Sequence, residues 1–132
     1  MLTVPVYRRF SDLDPLGHVN NVAYHDYLQE ARMGLIGELD AVVTDEFAQI
    51  VVSQEIRHRK PLGHSPEPVR IEIGIAAMAR TSYTITYRIL DENGEVAAEA
   101  TTLMAVVDPA SGRPIRIPEE LLARLTPHQI AA

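Results

Sequence analysis

The first third of the chain changes from an alternating to a helical hydrophobic pattern. Residues 4–11 (Val-Pro-Val-Tyr-Arg-Arg-Phe-Ser) alternate loosely between apolar and polar side chains, which predicts a first β-strand. Asp, Pro and Gly in residues 12–17 then predict a tight loop. From Asn20 or Asn21, either of which can cap a helix, apolar side chains recur every three or four residues. These side chains predict a helix of about five turns, and they belong to Tyr24, Tyr27, Leu28, Ala31, Leu35 and Leu39.

Four long strands are predicted for most of the remaining chain. Residues 49–60, 68–79, 81–91 and 95–108 are rich in Val, Ile, Thr and Tyr. Short turn sequences separate these segments, and the Asn93-Gly94 pair in the last turn is typical of a hairpin. The pattern indicates an antiparallel meander, followed by a short helix over residues 118–125 with Pro118 in its first turn.

The order of strand, helix and four strands predicts an α+β fold. One face of a five-stranded sheet must be covered, and the long helix is the element available to cover it. We therefore expect a five-stranded antiparallel sheet wrapped around one long central helix, in a single domain spanning residues 1–132. The other face or an edge strand remains for a second copy, so a homodimer with a continuous sheet is expected.

Composition and charge narrow the class of function. The chain has 12 Lys plus Arg against 18 Asp plus Glu, and its net charge of −6 disfavours a nucleic-acid partner. It contains no cysteine, which excludes a cysteine nucleophile, a disulfide and thiolate metal sites. No apolar run has the length of a signal peptide or a membrane span, so we expect a cytoplasmic protein without a membrane partner.

The densest group of chemically capable side chains follows the predicted first strand. Residues 12–21 read Asp-Leu-Asp-Pro-Leu-Gly-His-Val-Asn-Asn, with two carboxylates, one imidazole and two amides. They precede a helix N-terminus, whose free N–H groups and positive dipole end favour an oxyanion. An aspartate there can act as a nucleophile or as a base toward water. The same residue types also form turns and helix caps without any catalytic role.

The pattern Asp-x-Asp-x-x-Gly-His-Val-Asn-Asn, followed by Tyr24 in the helix, resembles the signature of hotdog-fold acyl-CoA thioesterases of the 4-hydroxybenzoyl-CoA thioesterase type. Residues 56–61, 80–82 and 112–121 extend the resemblance over nearly the whole chain. The resemblance implies a hotdog fold and hydrolysis of an acyl thioester. The implied substrate is acyl-CoA, with an acyl-carrier protein as the alternative, and the implied active sites lie at the subunit interface of a homodimer or homotetramer.

The resemblance also implies roles for individual residues. Asp14 matches the catalytic carboxylate, and the backbone N–H of Gly17 is expected to polarise the thioester carbonyl. His18 is a third catalytic candidate, although its imidazole can equally satisfy carbonyl groups of the loop. Plant-type acyl-carrier-protein thioesterases use Asp, Asn and His in a similar segment, but Leu16 occupies the Asn position here. Asp12 is expected to be an acceptor that organises the loop.

Substrate-binding residues are expected at the end of the motif and after it: Asn20, Asn21, Tyr24, Arg59, Lys60, Arg80 and Ser82. The cations among them are candidates for the CoA phosphates, because arginine pairs with phosphate through a rigid fork. Residues 57–60 can equally be a solvated strand end, Asn20 or Asn21 a helix cap, and Tyr24 a core residue.

No cofactor and no metal site are expected. His18 and His25 lie seven residues apart without an HExxH-like pattern, and no serine lies in a Gly-x-Ser-x-Gly elbow. Two other functions stay open at this point. One is a non-catalytic acyl-thioester-binding hotdog protein, and the other is a hotdog dehydratase, which needs a different His and Asp arrangement. Asp14 together with Gly17 favours the hydrolase.

Overall fold

A computed structural model describes residues 1–37 and 46–130. The elements in chain order are β1 (Leu2–Val6), α1 (Asn21–Ile36), β2 (Ala48–His58), β3 (Val69–Met78), β4 (Ser82–Leu90), β5 (Val96–Val107) and α2 (Glu119–Leu125). The five strands form one antiparallel sheet in the order β1-β3-β4-β5-β2. The predicted α+β class and the five-stranded antiparallel sheet are confirmed. In the described residues no helix is long and apolar enough to cross a membrane.

The position of β2 in the sheet differs from the one that a simple meander would give it. β3, β4 and β5 pair in sequence, but β2 pairs with β5 and lies at the opposite edge of the sheet from β1. The connection between β2 and β3 contains Pro61, Pro66 and Pro68, which lack the N–H donors that a hairpin needs. This connection instead pairs with the loop before α1, where His18 and Gly63 form an isolated antiparallel bridge.

Helix α1 begins where the side chain of Asn20 caps it by accepting the N–H of Ala23 at 3.0 Å. It ends at Gly37, which has φ of 96°. Its 16 residues make about four and a half turns, and the predicted Leu39 lies outside the described residues. The predicted apolar stripe is buried: Tyr24, Tyr27, Leu28, Ala31 and Leu35 are in the core.

The core lies between α1 and one face of the sheet. That face contributes fully buried side chains from β3 and β4, among them Ile71, Ile73, Ile85 and Ile89. Helix α1 is not the sole cover, because the seven-residue α2 also buries Leu121 and Leu125. The opposite face of the sheet carries ion pairs, as between Arg88 and Glu72.

The first strand is shorter than predicted. It ends at Val6, and the chain turns through a 3₁₀ segment at Phe10–Asp12 instead of staying extended to residue 11. The reason is the side chain of Asp12, which accepts the backbone N–H of Arg9 at 2.9 Å and so closes a turn. This turn carries the chain from the sheet to the start of α1.

Gly34 lies where α1 packs tightly against β1. A Cβ atom at Gly34 would lie 2.8 Å from Cγ2 and 3.3 Å from Cγ1 of Val4, and the branched valine has little room to yield. Gly-to-Ala substitution stabilises an open helix by about 1 kcal/mol. We expect Gly34→Ala to lower the free energy of unfolding by about 1–3 kcal/mol instead, because the contact becomes overpacked.

Urea unfolding measures this difference, with the exposed Gln29→Ala in the same helix as a control that should leave stability nearly unchanged. A Gly34→Ala variant as stable as the parent would show that β1 moves aside at no cost.

Candidate active site

The loop that carries Asp14 is closed at its base by backbone hydrogen bonds. Leu13 and Val19 pair as an isolated antiparallel bridge. The N–H of Asn20 donates to the carbonyl of Asp12 at 2.8 Å, and the N–H of Val19 donates to the carbonyl of Leu62 at 2.8 Å. The loop is therefore fixed to the start of α1 on one side and to the β2–β3 connection on the other.

The carboxylate of Asp14 is held by one of its two oxygens. Oδ1 accepts the backbone N–H of Leu16 at 2.9 Å and that of His18 at 3.2 Å. Oδ2 has no hydrogen-bond partner in the part of the chain that the structure describes. Tethering one oxygen fixes the orientation of the half-buried carboxylate and leaves the other oxygen available for chemistry.

The N–H of Gly17 is not available in the way the resemblance implied. It donates to the carbonyl of Asp14 at 2.9 Å. Asp14-Pro15-Leu16-Gly17 is a β-turn sequence, with Pro at the second position and Gly at the fourth, and such a turn bonds its first carbonyl to its fourth N–H. This local hydrogen bond occupies the donor that was expected to polarise the thioester carbonyl.

The first turn of α1 offers other donors. The first N–H groups of a helix have no intrahelical acceptor. Asn20 satisfies the N–H of Ala23, and within residues 1–37 and 46–130 no backbone or side-chain acceptor faces the N–H groups of Asn21 and Val22. Asn20 is thus a cap, and the N–H groups of Asn21 and Val22 are the free donors in the first turn of α1.

A cavity of about 320 Å³ opens beside this loop. It brings together six of the predicted site residues, namely Asp14, His18, Asn21, Tyr24, Arg59 and Lys60. Val19, His58 and Pro61 complete the lining. A second cavity of similar volume, about 340 Å³, lies on the other side of α1 between Arg9, Tyr27 and Glu30 and contains neither Asp14 nor His18. The chemistry therefore points to the cavity at Asp14.

Arg80 and Ser82 do not reach this cavity in a single chain. Ser82 pairs with Ala105 at one end of the sheet, whereas His58 pairs with Ala98 at the other end. Seven residues of β5 separate these two positions, which corresponds to about 24 Å. The antiparallel register thus separates both residues from the cations at the end of β2.

The cations of residues 57–60 are largely engaged. Lys60 Nζ lies 2.6 Å from Asp91 Oδ2 and 2.6 Å from Glu95 Oε2, and these hydrogen bonds raise the pKa of Lys60. Arg59 makes a looser, exposed ion pair with Glu99 at 3.4 Å. Of these two candidates for phosphate binding, Arg59 is the more available.

His58 is a cavity residue that the sequence analysis did not select. Its ring contacts the buried ring of Tyr24 edge-on, with centroids 4.6 Å apart. Side chains alternate along a strand, so His58 lies on the same face of β2 as the partly buried Ile56, although it is itself exposed. This alternation was the sequence signal that could have identified His58. Burial raises the pKa of Tyr24, partly opposed by a backbone hydrogen bond from Leu62, so its phenol stays protonated.

Asp12 organises the loop, as predicted, and both of its oxygens are occupied. Oδ2 accepts from the Tyr27 hydroxyl at 2.7 Å and from the Arg9 N–H, and Oδ1 accepts from the Arg9 guanidinium at 2.9 and 3.1 Å. Burial alone would raise the pKa of Asp12, but the hydrogen bonds from Tyr27 and Arg9 outweigh it and lower the pKa. Asp12 is therefore a buried anion with no oxygen left for substrate.

Comparison with known proteins gives one family. A model of the thioesterase-like superfamily matches residues 8–125. The acyl-CoA thioester hydrolase YbgC of Escherichia coli O157:H7 is 24% identical over 123 residues, which cover 90% of this chain and 91% of that protein. A thioesterase of Thermus thermophilus, complexed with coenzyme A and Zn, is 29% identical with a TM-score of 0.80, over 95% of this chain and 92% of that one. The PA5185 protein of Pseudomonas aeruginosa PAO1 is 25% identical with a TM-score of 0.88, over 100% and 94%.

The fold and the family together define a thioester hydrolase. The chain belongs to the thioesterase-like superfamily, and the resemblance noted in residues 12–21 is confirmed at the level of the family. In the described part of this chain, no group of three or more His, Asp or Glu side chains is placed to hold a metal ion.

The lowered pKa of Asp12 makes its contribution to stability depend on pH. A carboxyl whose folded pKa lies below its ordinary value of 3.8 stabilises the fold above that pH, and the contribution is lost as the pH falls through the folded pKa. We expect Asp12→Asn to lower the free energy of unfolding by about 1–3 kcal/mol at pH 7. In urea unfolding, the difference in this free energy between the parent protein and the variant should become smaller below about pH 4. A difference that stays constant or grows in acid would contradict the assignment of Asp12 as a buried anion.

Proposed function

We propose that the chain hydrolyses acyl-CoA thioesters to the free acid and the thiol in the cavity at Asp14. The observation that carries the proposal is the half-tethered carboxylate of Asp14, which lines one cavity together with Asn21, the first residue of α1. Membership in a thioesterase family supports the reaction type. The names of YbgC and the coenzyme A bound to the Thermus thioesterase support CoA as the thiol group.

In the proposed geometry the thioester oxygen lies at the first turn of α1, where it accepts from the N–H groups of Asn21 and Val22. These donors and the positive helix end stabilise the oxyanion, and one such donor contributes about 3–4 kcal/mol to a transition state. This assignment replaces the N–H of Gly17, which the Asp14 carbonyl occupies.

Asp14 serves as the nucleophile or as the general base. As nucleophile, Oδ2 bonds to the carbonyl carbon, the C–S bond breaks, the thiolate leaves, and water then hydrolyses the mixed anhydride. As base, Asp14 removes a proton from the water that attacks the same carbon. The thiolate leaves without a strong acid because the pKa of a thiol is about 8.5. The imidazole of His18, on the cavity wall, orients the attacking water or the thioester.

Phosphate binding is proposed for Arg59, which is exposed at the mouth of the cavity. Lys60 contributes less, because Asp91 and Glu95 compensate its charge. Arg80 and Ser82 can take part only from a second subunit, since about 24 Å of sheet separates them from His58 in one chain.

A second copy of the chain is proposed to complete the site, in the hotdog arrangement of one helix per subunit against a continuous sheet. β2 is an edge strand, and it exposes Ile50, Val51 and Val52 in a row. The cavity lies at the C-terminal end of β2 and so opens beside this edge. Antiparallel pairing of two β2 strands reverses the second copy, which brings the end of its sheet that holds Arg80 and Ser82 toward this cavity.

Asp14→Asn tests the role of the carboxylate. The variant should lose turnover by about 10³-fold or more, because the amide is neither a nucleophile nor a base, while CoA affinity should stay within about twofold. Thiol release from short, long and aromatic acyl-CoAs can be followed with a thiol reagent, and the protein, having no cysteine, gives no background.

The exposed Asp26→Asn is the matched control and should retain full activity. Full turnover by Asp14→Asn would contradict the assignment of Asp14. No thiol release by the parent protein from any acyl-CoA would instead favour the non-catalytic binder.

Val52→Lys tests the subunit arrangement. A lysine on the exposed edge of β2 should repel the same residue across the two-fold axis, so the variant should be monomeric and at least about tenfold less active. Sedimentation equilibrium measures the mass. Leu122→Lys, on the exposed side of α2, is the control and should stay dimeric. A fully active monomer would contradict a site that needs two subunits.

A further inference from the structure

We propose that the hydroxyl of Tyr27 is a positioning group, which holds the loop of Asp14 in its working position on α1 by way of Asp12. The proposal rests on the hydrolytic role of Asp14 described above, but it concerns a residue outside the cavity. Tyr27 does not line the cavity at Asp14, so it acts through another residue and not on substrate.

The contact that carries the proposal joins two buried residues. The Tyr27 hydroxyl donates to Asp12 Oδ2 at 2.7 Å, and the two residues expose only 2% and 3% of their surface. Asp12 also accepts the N–H of Asn20 on its backbone carbonyl at 2.8 Å. Asp12 therefore anchors both ends of the loop over residues 13–19, because one end follows it in the chain and the other is bonded to it.

The link to α1 matters because the two parts of the proposed site lie on different elements. Asp14 lies on the loop, whereas the N–H groups of Asn21 and Val22 belong to α1. The bonds of Val19 to Leu62 and of His18 to Gly63 fix the loop to the β2–β3 connection. In the described residues, the bond from Tyr27 to Asp12 is the one side-chain hydrogen bond that joins residues 12–18 to α1.

A direct role of Tyr27 as a proton donor is disfavoured. Burial and the hydrogen bond to Asp12 raise the pKa of its phenol. Its single proton is committed to a carboxylate that is itself saturated by Arg9. The hydroxyl thus fixes the distance between the loop of Asp14 and α1. A displacement of about 1 Å between reacting groups is enough to lower the rate by up to about 10²-fold.

Tyr27→Phe is the test, because it removes the hydroxyl and keeps the ring in the core. We expect kcat for acyl-CoA hydrolysis to fall about tenfold while KM stays within about twofold. Tyr83→Phe is the matched control. Tyr83 is equally buried, and its hydroxyl donates a hydrogen bond to Gln49, far from the loop. The Tyr83→Phe variant should therefore lose about as much stability as Tyr27→Phe, while its kcat should stay within about twofold of the parent value.

Amide hydrogen exchange gives a second readout that does not depend on activity. The N–H groups of Leu16 and His18, which bond to Asp14 Oδ1, should exchange about tenfold faster in Tyr27→Phe and not in Tyr83→Phe. If Tyr27→Phe does not fold, Asp12→Asn should show the same faster exchange of the Leu16 and His18 N–H groups and the same fall in kcat.

Unchanged exchange and unchanged kcat in the folded variant would overturn the proposal. A loss of kcat equal to that of Tyr83→Phe would overturn it as well, since the effect would then be one of stability alone. An Asp14→Asn variant with full turnover would contradict the proposed function instead, and the exchange of Leu16 and His18 would still decide the role of Tyr27.

Discussion

The burial of the Asp12 carboxylate is the constraint on which the site depends. A buried carboxylate is tolerated only when its oxygens are hydrogen-bonded and its charge is compensated. Here Arg9 and Tyr27 meet both requirements; Arg9 lies in the turn after β1, and Tyr27 lies in α1. Satisfying one carboxylate therefore joins this turn, the loop and the helix, and the chain between them has little freedom left. Asp14 lies in that fixed segment.

Two aspartates two residues apart consequently have different roles. Asp12 accepts four hydrogen bonds and is a structural anion, whereas Asp14 accepts two on Oδ1 and keeps Oδ2 free. The same distinction applies to the cations, because Lys60 is compensated by Asp91 and Glu95 and Arg59 is not held as closely. Residue type alone indicates what a side chain can do, and its hydrogen-bond partners decide whether it is available.

Much of the fold follows from local patterns in the sequence, but the pairing of distant segments does not. The apolar stripe of α1 and the hairpin at Asn93-Gly94 depend on neighbours in the chain, so both could be predicted. The edge position of β2 comes from its pairing with the distant strand β5, which no local pattern reports. The hydrogen bond from the Gly17 N–H to the Asp14 carbonyl could be predicted from the turn sequence Asp-Pro-Leu-Gly. The separation of Arg80 from His58 could not be predicted, because it follows from the register of the sheet.

The most direct test is a crystal structure of the protein with an acyl-CoA analogue in which a methylene group replaces the thioester sulfur. The carbonyl carbon should lie about 3–3.5 Å from Asp14 Oδ2, the distance at which a reacting pair is poised. The carbonyl oxygen should lie at the N–H groups of Asn21 and Val22. A carbonyl bound at the N–H of Gly17, or in a place that Asp14 does not reach, would contradict the proposed site.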